Sequence, residues 1–302
     1  MFKFFNTLLI GITAGSINAL MAIAMVLVWR STRVVNFAQA GMALASVYIG
    51  YQAISITGSF WWGALAAIIG GALVAAFIEF AFMRVLKRHT HSGPIAAVAP
   101  IIATLGLLQI VHALVAIKWG GEDRLMKAPF SNTGFSIGGE TLTFSPMKLA
   151  IVLTVIILLV IFSLVFQRTN IGLALRASAY APEISRLAGI KVDSLHTLGW
   201  ALAGATGAIA GLLQVTNGNG SFSPESMEFS LLLISGFIAA VIGGLESMVG
   251  AVTGGAILGI VTSFVLMYIS DSLFFIAPFV LLILVLVIRP QGIIGAKAGR
   301  RA

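Results

Sequence analysis

Residues 149–166 read LAIVLTVIILLVIFSLVF, eighteen consecutive positions without a charge, a proline or a glycine. That length matches the roughly 20 apolar residues an α-helix needs to cross the hydrocarbon of a bilayer. A transmembrane barrel would show segments of about 10 residues alternating apolar and polar, so the continuous run excludes it. Similar runs recur near 7–29, 36–56, 61–83, 95–117, 147–166, 195–215, 229–245, 250–269 and 273–288. With 59% of 302 residues hydrophobic and 9% charged, the chain carries more apolar surface than a soluble core of this size hides, enough for roughly eight or nine crossings. The expected fold is all-α, a polytopic transmembrane helical bundle of about 8–9 spans forming one domain over residues 1–302.

Basic residues give the sidedness. They cluster at Arg30 and Arg33, at Arg84, Lys87 and Arg88, at Arg168, Arg176, Arg186 and Lys191, and at Arg289, Lys297, Arg300 and Arg301. Cytoplasmic loops gather Lys and Arg, and all four clusters share that side only if the N-terminus is outside. The polar stretch 167–194 is then cytoplasmic, and 118–146 and 216–228 are external loops. The first of these is charge-balanced and the second, TNGNGSFSPESME, has acids but no base, while Lys3 dissents mildly. The excess of 18 Lys and Arg over 10 Asp and Glu is thus read as membrane sidedness, with no nucleic-acid partner. The absence of cysteine excludes disulfides and thiolate metal sites. The run from Thr7 to Trp29 exceeds the apolar core of about 7–15 residues in a signal peptide, although AIA at 22–24 mimics a cleavage site; it reads as a retained first span.

The chemistry of catalysis is missing. No Walker A, HExxH, GxSxG or glycine-rich dinucleotide pattern occurs, and none of the four histidines has a partner at metal-ligand spacing. Neither an enzyme nor a cofactor is expected. His89 and His91 fall in a basic loop and read as solvated surface. His112 lies inside the fourth run with Gln109 three residues earlier, and strongly polar groups within spans face protein or water. Glu79 is the one acid inside an expected crossing; it lies near Arg84 and the cytoplasmic edge, where it can snorkel or pair. A proton-coupled carrier would place such a group deeper, so a transporter built this way draws its energy from another chain. The runs LLLISGFIAAVIGGL (231–245) and VGAVTGGAILGIVTSFVLMYI (249–269) leave two readings open: helices broken at mid-membrane to line a pathway, or tight packing. The pairs Gly207 and Gly211, Gly250 and Gly254, and Gly255 and Gly259 have the four-residue spacing of close helix contacts.

Several stretches resemble the permease subunits of branched-chain amino acid ABC importers, the LivH/LivM type, and more closely its LivH side. NFAQAG (36–41) is similar to the family's N-F-A-[HQ]-G, with Ala40 inserted before Gly41. ATLGL (103–107) is similar to T-[IL]-G-L, and GLALRASAYAPEISRLAGI (172–190) to G-x-x-[LM]-R-A…A-x-x-x-GI. GGLESMVGAVTGG (243–255) resembles G-G-L-G-S-x-x-G-A-x-x-G-G, with Glu246 in place of a glycine, and IRPQGIIG (288–295) resembles R-P-x-G-[IL]-x-G. Ser185 stands where the family commonly has alanine. The resemblance implies a multi-pass permease domain in the bacterial inner (plasma) membrane that pairs with a second, LivM-like permease. It also implies two cytoplasmic ABC ATPases and a periplasmic solute-binding protein, with branched-chain or other small amino acids, or else urea and short amides, as cargo. Within it Asn36, Gln39, Thr104, Gln109 and His112 are candidates to line the pathway or to bond neighbouring helices.

The polar stretch contains a short helix. Pro182 suits a first helical position, Glu183 the positive end of the dipole and Gly189 the C-terminus. Ile184, Leu187 and Ala188 share one apolar face, leaving Ser185 and Arg186 elsewhere. A helix this short is marginal alone and needs a docking surface. The resemblance makes residues Pro182 to Gly189 a coupling helix for an ATPase; an interfacial helix resting on membrane lipid is the alternative. For the whole chain the competing classes are an ion-coupled secondary carrier and a non-transporting scaffold.

Overall fold

The computed structural model describes residues 2–89, 94–137 and 140–294. Helix covers most of each of the nine apolar runs. The helices are α1 (Phe2–Thr32), α2 (Gln39–Thr57), α3 (Phe60–Ile78), α4 (Arg84–His89), α5 (Pro94–Trp119), α6 (Pro146–Arg168), α7 (Asn170–Tyr180), α8 (Pro182–Leu187), α9 (Val192–Asn217), α10 (Glu228–Gly243), α11 (Met248–Tyr268) and α12 (Ala277–Ile288). A π-helical turn, Glu79–Met83, joins α3 to α4. Among the described residues, six helical stretches are long and apolar enough to cross a membrane: α1, Phe60–Leu86, Val98–Trp119, α6, α9 and α11. Helices α10 and α12 are apolar but shorter. His91, Lys297, Arg300 and Arg301 lie outside the described residues.

The glycine-rich runs are not broken at their centres: α10 and α11 are each a single uninterrupted helix. Short two-residue ladders add a little β-structure to the loops. Arg124 and Leu125 (β1) pair antiparallel with Phe222 and Ser221 (β4), and Ser136 and Ile137 (β2) with Thr141 and Glu140 (β3).

Two compact units are present. The first comprises residues 1–26, 130–160 and 234–302. Its core is a crossing of α1 on α11 made possible by missing side chains. A Cβ on Gly15 would sit 2.7 Å from the Gly255 carbonyl oxygen, and one on Gly255 would sit 2.7 Å from the Gly15 carbonyl oxygen. Helices α10 and α11 form a hairpin turned by Gly244 at φ +100, where Ser247 caps α11 by accepting from Gly250 N at 2.9 Å. Glu246 lies in this turn outside the left-handed region, so the local backbone does not require the family's glycine. After α12 the chain turns at Gly292 (φ +80), and Ile293 N donates to Ile242 O at 2.8 Å.

The second unit comprises residues 27–129 and 161–233. Along α3 the buried positions are Gly63, Ala67, Gly71, Ala75 and Ile78, while Trp61, Trp62, Leu65, Ile69, Leu73 and Phe77 point outward. This inverts the pattern of a soluble helix. Small residues face protein so that backbones approach closely, and large apolar ones face out, as a lipid solvent requires. The contacts are close: Gly71 faces the Gly204 carbonyl of α9, and Gly50 of α2 faces that of Gly63. Trp200, Tyr48, Phe222 and Phe229 fill the remaining core, and Tyr48 and Phe222 meet edge to face with centroids 5.0 Å apart.

Candidate functional site

Helix α8 forms as its sequence dictates. Pro182 opens it, Glu183 occupies the first turn, and Gly189 ends it at φ +82. Ile190 N donates to Ser185 O and Gly189 N to Arg186 O, both at 3.0 Å, the paired bonds of a Schellman terminus. Ser185 is 4% exposed and faces the protein. The alanine common in the family and the serine here both fit that inward slot, since each is small. Ile184 and Leu187 point away, 69% and 89% exposed, and Ala188 is exposed as well. Ile184, Leu187 and Ala188 therefore form an apolar strip that no described residue of the chain covers, flanked by the exposed Glu183 and Arg186. Arg186 reaches Asp193 at the start of α9, 3.2 Å away, in an exposed ion pair.

Helix α7, which the sequence did not distinguish from its loop, leads directly into α8. Thr169 caps it, accepting from Gly172 N at 3.2 Å, and Gly172 is pressed against Val165 and Phe166 where α6 turns into α7. The missed signal was this threonine cap one residue after Arg168.

Asn36 and Gln39 are fully buried at the entry to α2. Asn36 Oδ1 accepts from Ala38 N at 3.0 Å, and Asn36 Nδ2 donates to Gln39 Oε1 at 3.2 Å. Gln39 Nε2 in turn donates to the Ala203 carbonyl of α9 at 3.0 Å. Gly207, one turn further along α9, leaves the space that the Gln39 amide fills. Gly211 packs against Val47 and Ala43 of α2. In the first unit Gly250 lies on Gly243, Gly254 on Ala239, and Gly259 on Gly11 and Gly15.

The polar residues of α5 divide by direction. Thr104 is buried and donates to Ile101 O at 2.9 Å within its own helix. Gln109 is exposed, and His112 is half-buried with its Nε2 shielded and unpaired. Gly106 belongs to the exposed face and has nothing within 4 Å of where a Cβ would stand. Among the described residues no cluster of three or more His, Asp or Glu could hold a metal ion.

A chain of long apolar helices, one of which (α3) turns small residues inward and large apolar residues outward, is a polytopic helical membrane protein. The description "Branched-chain amino acid transport system / permease component" matches residues 7–286, and the chain belongs to that family. It is a transport subunit and not an enzyme. The chain is 29% identical over 293 residues to a probable branched-chain amino acid transport permease protein LivH of Methanocaldococcus jannaschii, covering 93% of this chain and 89% of the relative. It is 28% identical over 296 residues to the high-affinity branched-chain amino acid transport system permease protein LivH of Escherichia coli K12, covering 94% and 93%. To the corresponding protein BraD of Pseudomonas aeruginosa it is 28% identical over 303 residues, covering 97% and 96%. No solved structure matches the chain.

Proposed function

We propose that this chain is the solute-conducting permease of an ATP-driven importer for branched-chain amino acids in the bacterial inner membrane. A second, LivM-like permease completes the pathway, two cytoplasmic ABC ATPases power it, and a periplasmic binding protein delivers the solute. Residues 1–302 act as one permease domain, a reading supported by the family match running without a break through segments of both units. The N-terminus and the segments 118–146 and 216–228 lie outside, and 167–194 lies in the cytoplasm, in keeping with the basic clusters.

The observation that carries the coupling role is the outward pair Ile184 and Leu187 on a capped helix whose other side is anchored by Ser185. Burying two such side chains in an ATPase groove contributes about 1.5–3 kcal/mol each. A rigid helix seated there converts closure of the nucleotide sites into a push on α9. The relatives' names as branched-chain amino acid transport permeases support the cargo.

For the pathway we assign Gln109 and, beside it, His112. An amide left unpaired in lipid costs a few kcal/mol, so the face of α5 bearing Gly106 and Gln109 meets water or the second permease. Gln39, oriented by Asn36, holds α2 in register with α9, as its bond to Ala203 supports, and Thr104 serves its own helix. The glycines Gly207, Gly211, Gly250, Gly254, Gly255 and Gly259 serve helix packing.

The test is uptake of labelled leucine into vesicles containing the complex purified through a tag on this chain, with its binding protein outside the membrane. Uptake that follows ATP and stops when the partner ATPases are disabled supports the reading. Uptake that follows an ion gradient without ATP identifies a secondary carrier, and absence of flux from the active complex identifies a scaffold.

A further inference from the structure

Glu79 has 1% of its surface exposed, and its surroundings are built around it. It opens the π-helical turn Glu79–Met83, a rare geometry that adds a residue to one helical turn and recurs at functional positions. Thr197 of α9 donates its hydroxyl to Glu79 Oε2 at 2.5 Å. Arg84 Nη2 lies 3.2 Å from the same oxygen, 2.7 Å from Thr197 Oγ1 and 3.0 Å from the Asp193 carbonyl oxygen. The guanidinium also rests over the Phe80 ring, 5.0 Å from its centroid. Carboxylate, guanidinium and hydroxyl thus join the end of α3 to the first turns of α9.

The same first turn of α9 holds α8. Asp193 offers its carbonyl to Arg84 and its carboxylate to Arg186, 3.2 Å away. Between α8 and α9 lie only Ala188, Gly189, Ile190 and Lys191, a tight turn. An exposed ion pair such as Arg186 with Asp193 contributes little by itself. The buried cluster is the stiff part, because removing one member leaves a charge unpaired in low dielectric. A buried carboxylate needs a reason to be there, and stability alone is a poor one, since ion pairs in low dielectric recover their desolvation cost only with good geometry.

We infer that Glu79, with Arg84 and Thr197, is a positioning group for energy coupling: it clamps the α8–α9 elbow to α3, so that displacement of α8 moves α3 together with α9. The inference rests on α8 being the ATPase-docking element. Without the clamp, motion of α8 would be absorbed at the start of α9.

The experiment compares Glu79→Gln and Thr197→Val in the complete complex, reconstituted in vesicles, reading ATP hydrolysed per solute imported. Thr197→Val keeps the shape and removes only the hydroxyl, so it remains informative if Glu79→Gln fails to assemble. Both variants should retain their ATPase partners, while the ATP consumed per solute rises by about tenfold, within the usual range of coupling between distant sites. An unchanged ratio in the assembled variants overturns the inference, as does a proportional loss of hydrolysis and uptake, the mark of a merely structural role. A failed docking reading looks different: Leu187→Asp would then leave the ATPases bound, whatever the clamp variants do.

Discussion

Gln39 donates its side-chain amide to the carbonyl of Ala203, 164 residues later, at 3.0 Å. The bond ties the first turn of α2 to the middle of α9, and Gly207 supplies the room for it. Gln39→Ala removes the acceptor of Asn36 as well and should destabilise the chain by about 2 kcal/mol. Gly207→Ala drives a methyl group into the amide and should cost a similar amount. The double variant should be more stable than the sum of the two predicts, because the first change vacates the space the second needs. Thermal unfolding in detergent reads all three; strict additivity would show that the two residues do not share that space.

The glycines of α11 and α5 should behave oppositely. Gly255→Ala collides with the backbone of α1 and should cost about 1–3 kcal/mol. Gly106→Ala enters open space and should change stability by less than about 1 kcal/mol, in the stabilising direction. Unfolding midpoints compare them directly.

Gly106→Leu places a large side chain beside Gln109 on the outward face of α5. It should leave folding intact and lower uptake or pairing with the second permease. Normal transport with normal assembly would place that face against lipid.

Gly189→Ala forces an ordinary residue to φ +82 at the end of α8. The strain is about 1 kcal/mol, so exchange of the Ile190 amide, bonded to Ser185 O, should speed up about fivefold. An unchanged exchange rate would mean that the turn relaxes elsewhere.

Local signals were legible in the sequence and distant partners were not. The apolar runs became helices because run length and the solvent decide that without long-range information. The ends of α8 were readable because Pro182 and Gly189 act on their own backbone. The direction of Gln109 and the partner of Gln39 were not readable, since each depends on which helix packs beside it. Glu79 stood out as an acid in an apolar run with Arg84 nearby, but its π-helical turn and its bond to Thr197 exist only once α9 lies against α3. Pairing of Arg124 with Phe222 is a contact of the same kind, set by where two loops meet.

The central claim is that the outward face of α8 receives an ATPase. Leu187→Asp tests it most directly, since the Leu187 side chain is exposed, whereas Arg186→Glu would also break the pair with Asp193. The measurement is the amount of ATPase recovered with the tagged, membrane-inserted permease, relative to the unsubstituted chain. The account predicts at least a tenfold loss, about 1.4 kcal/mol or more, with insertion unchanged. Full recovery of the ATPase with the aspartate in place would contradict it.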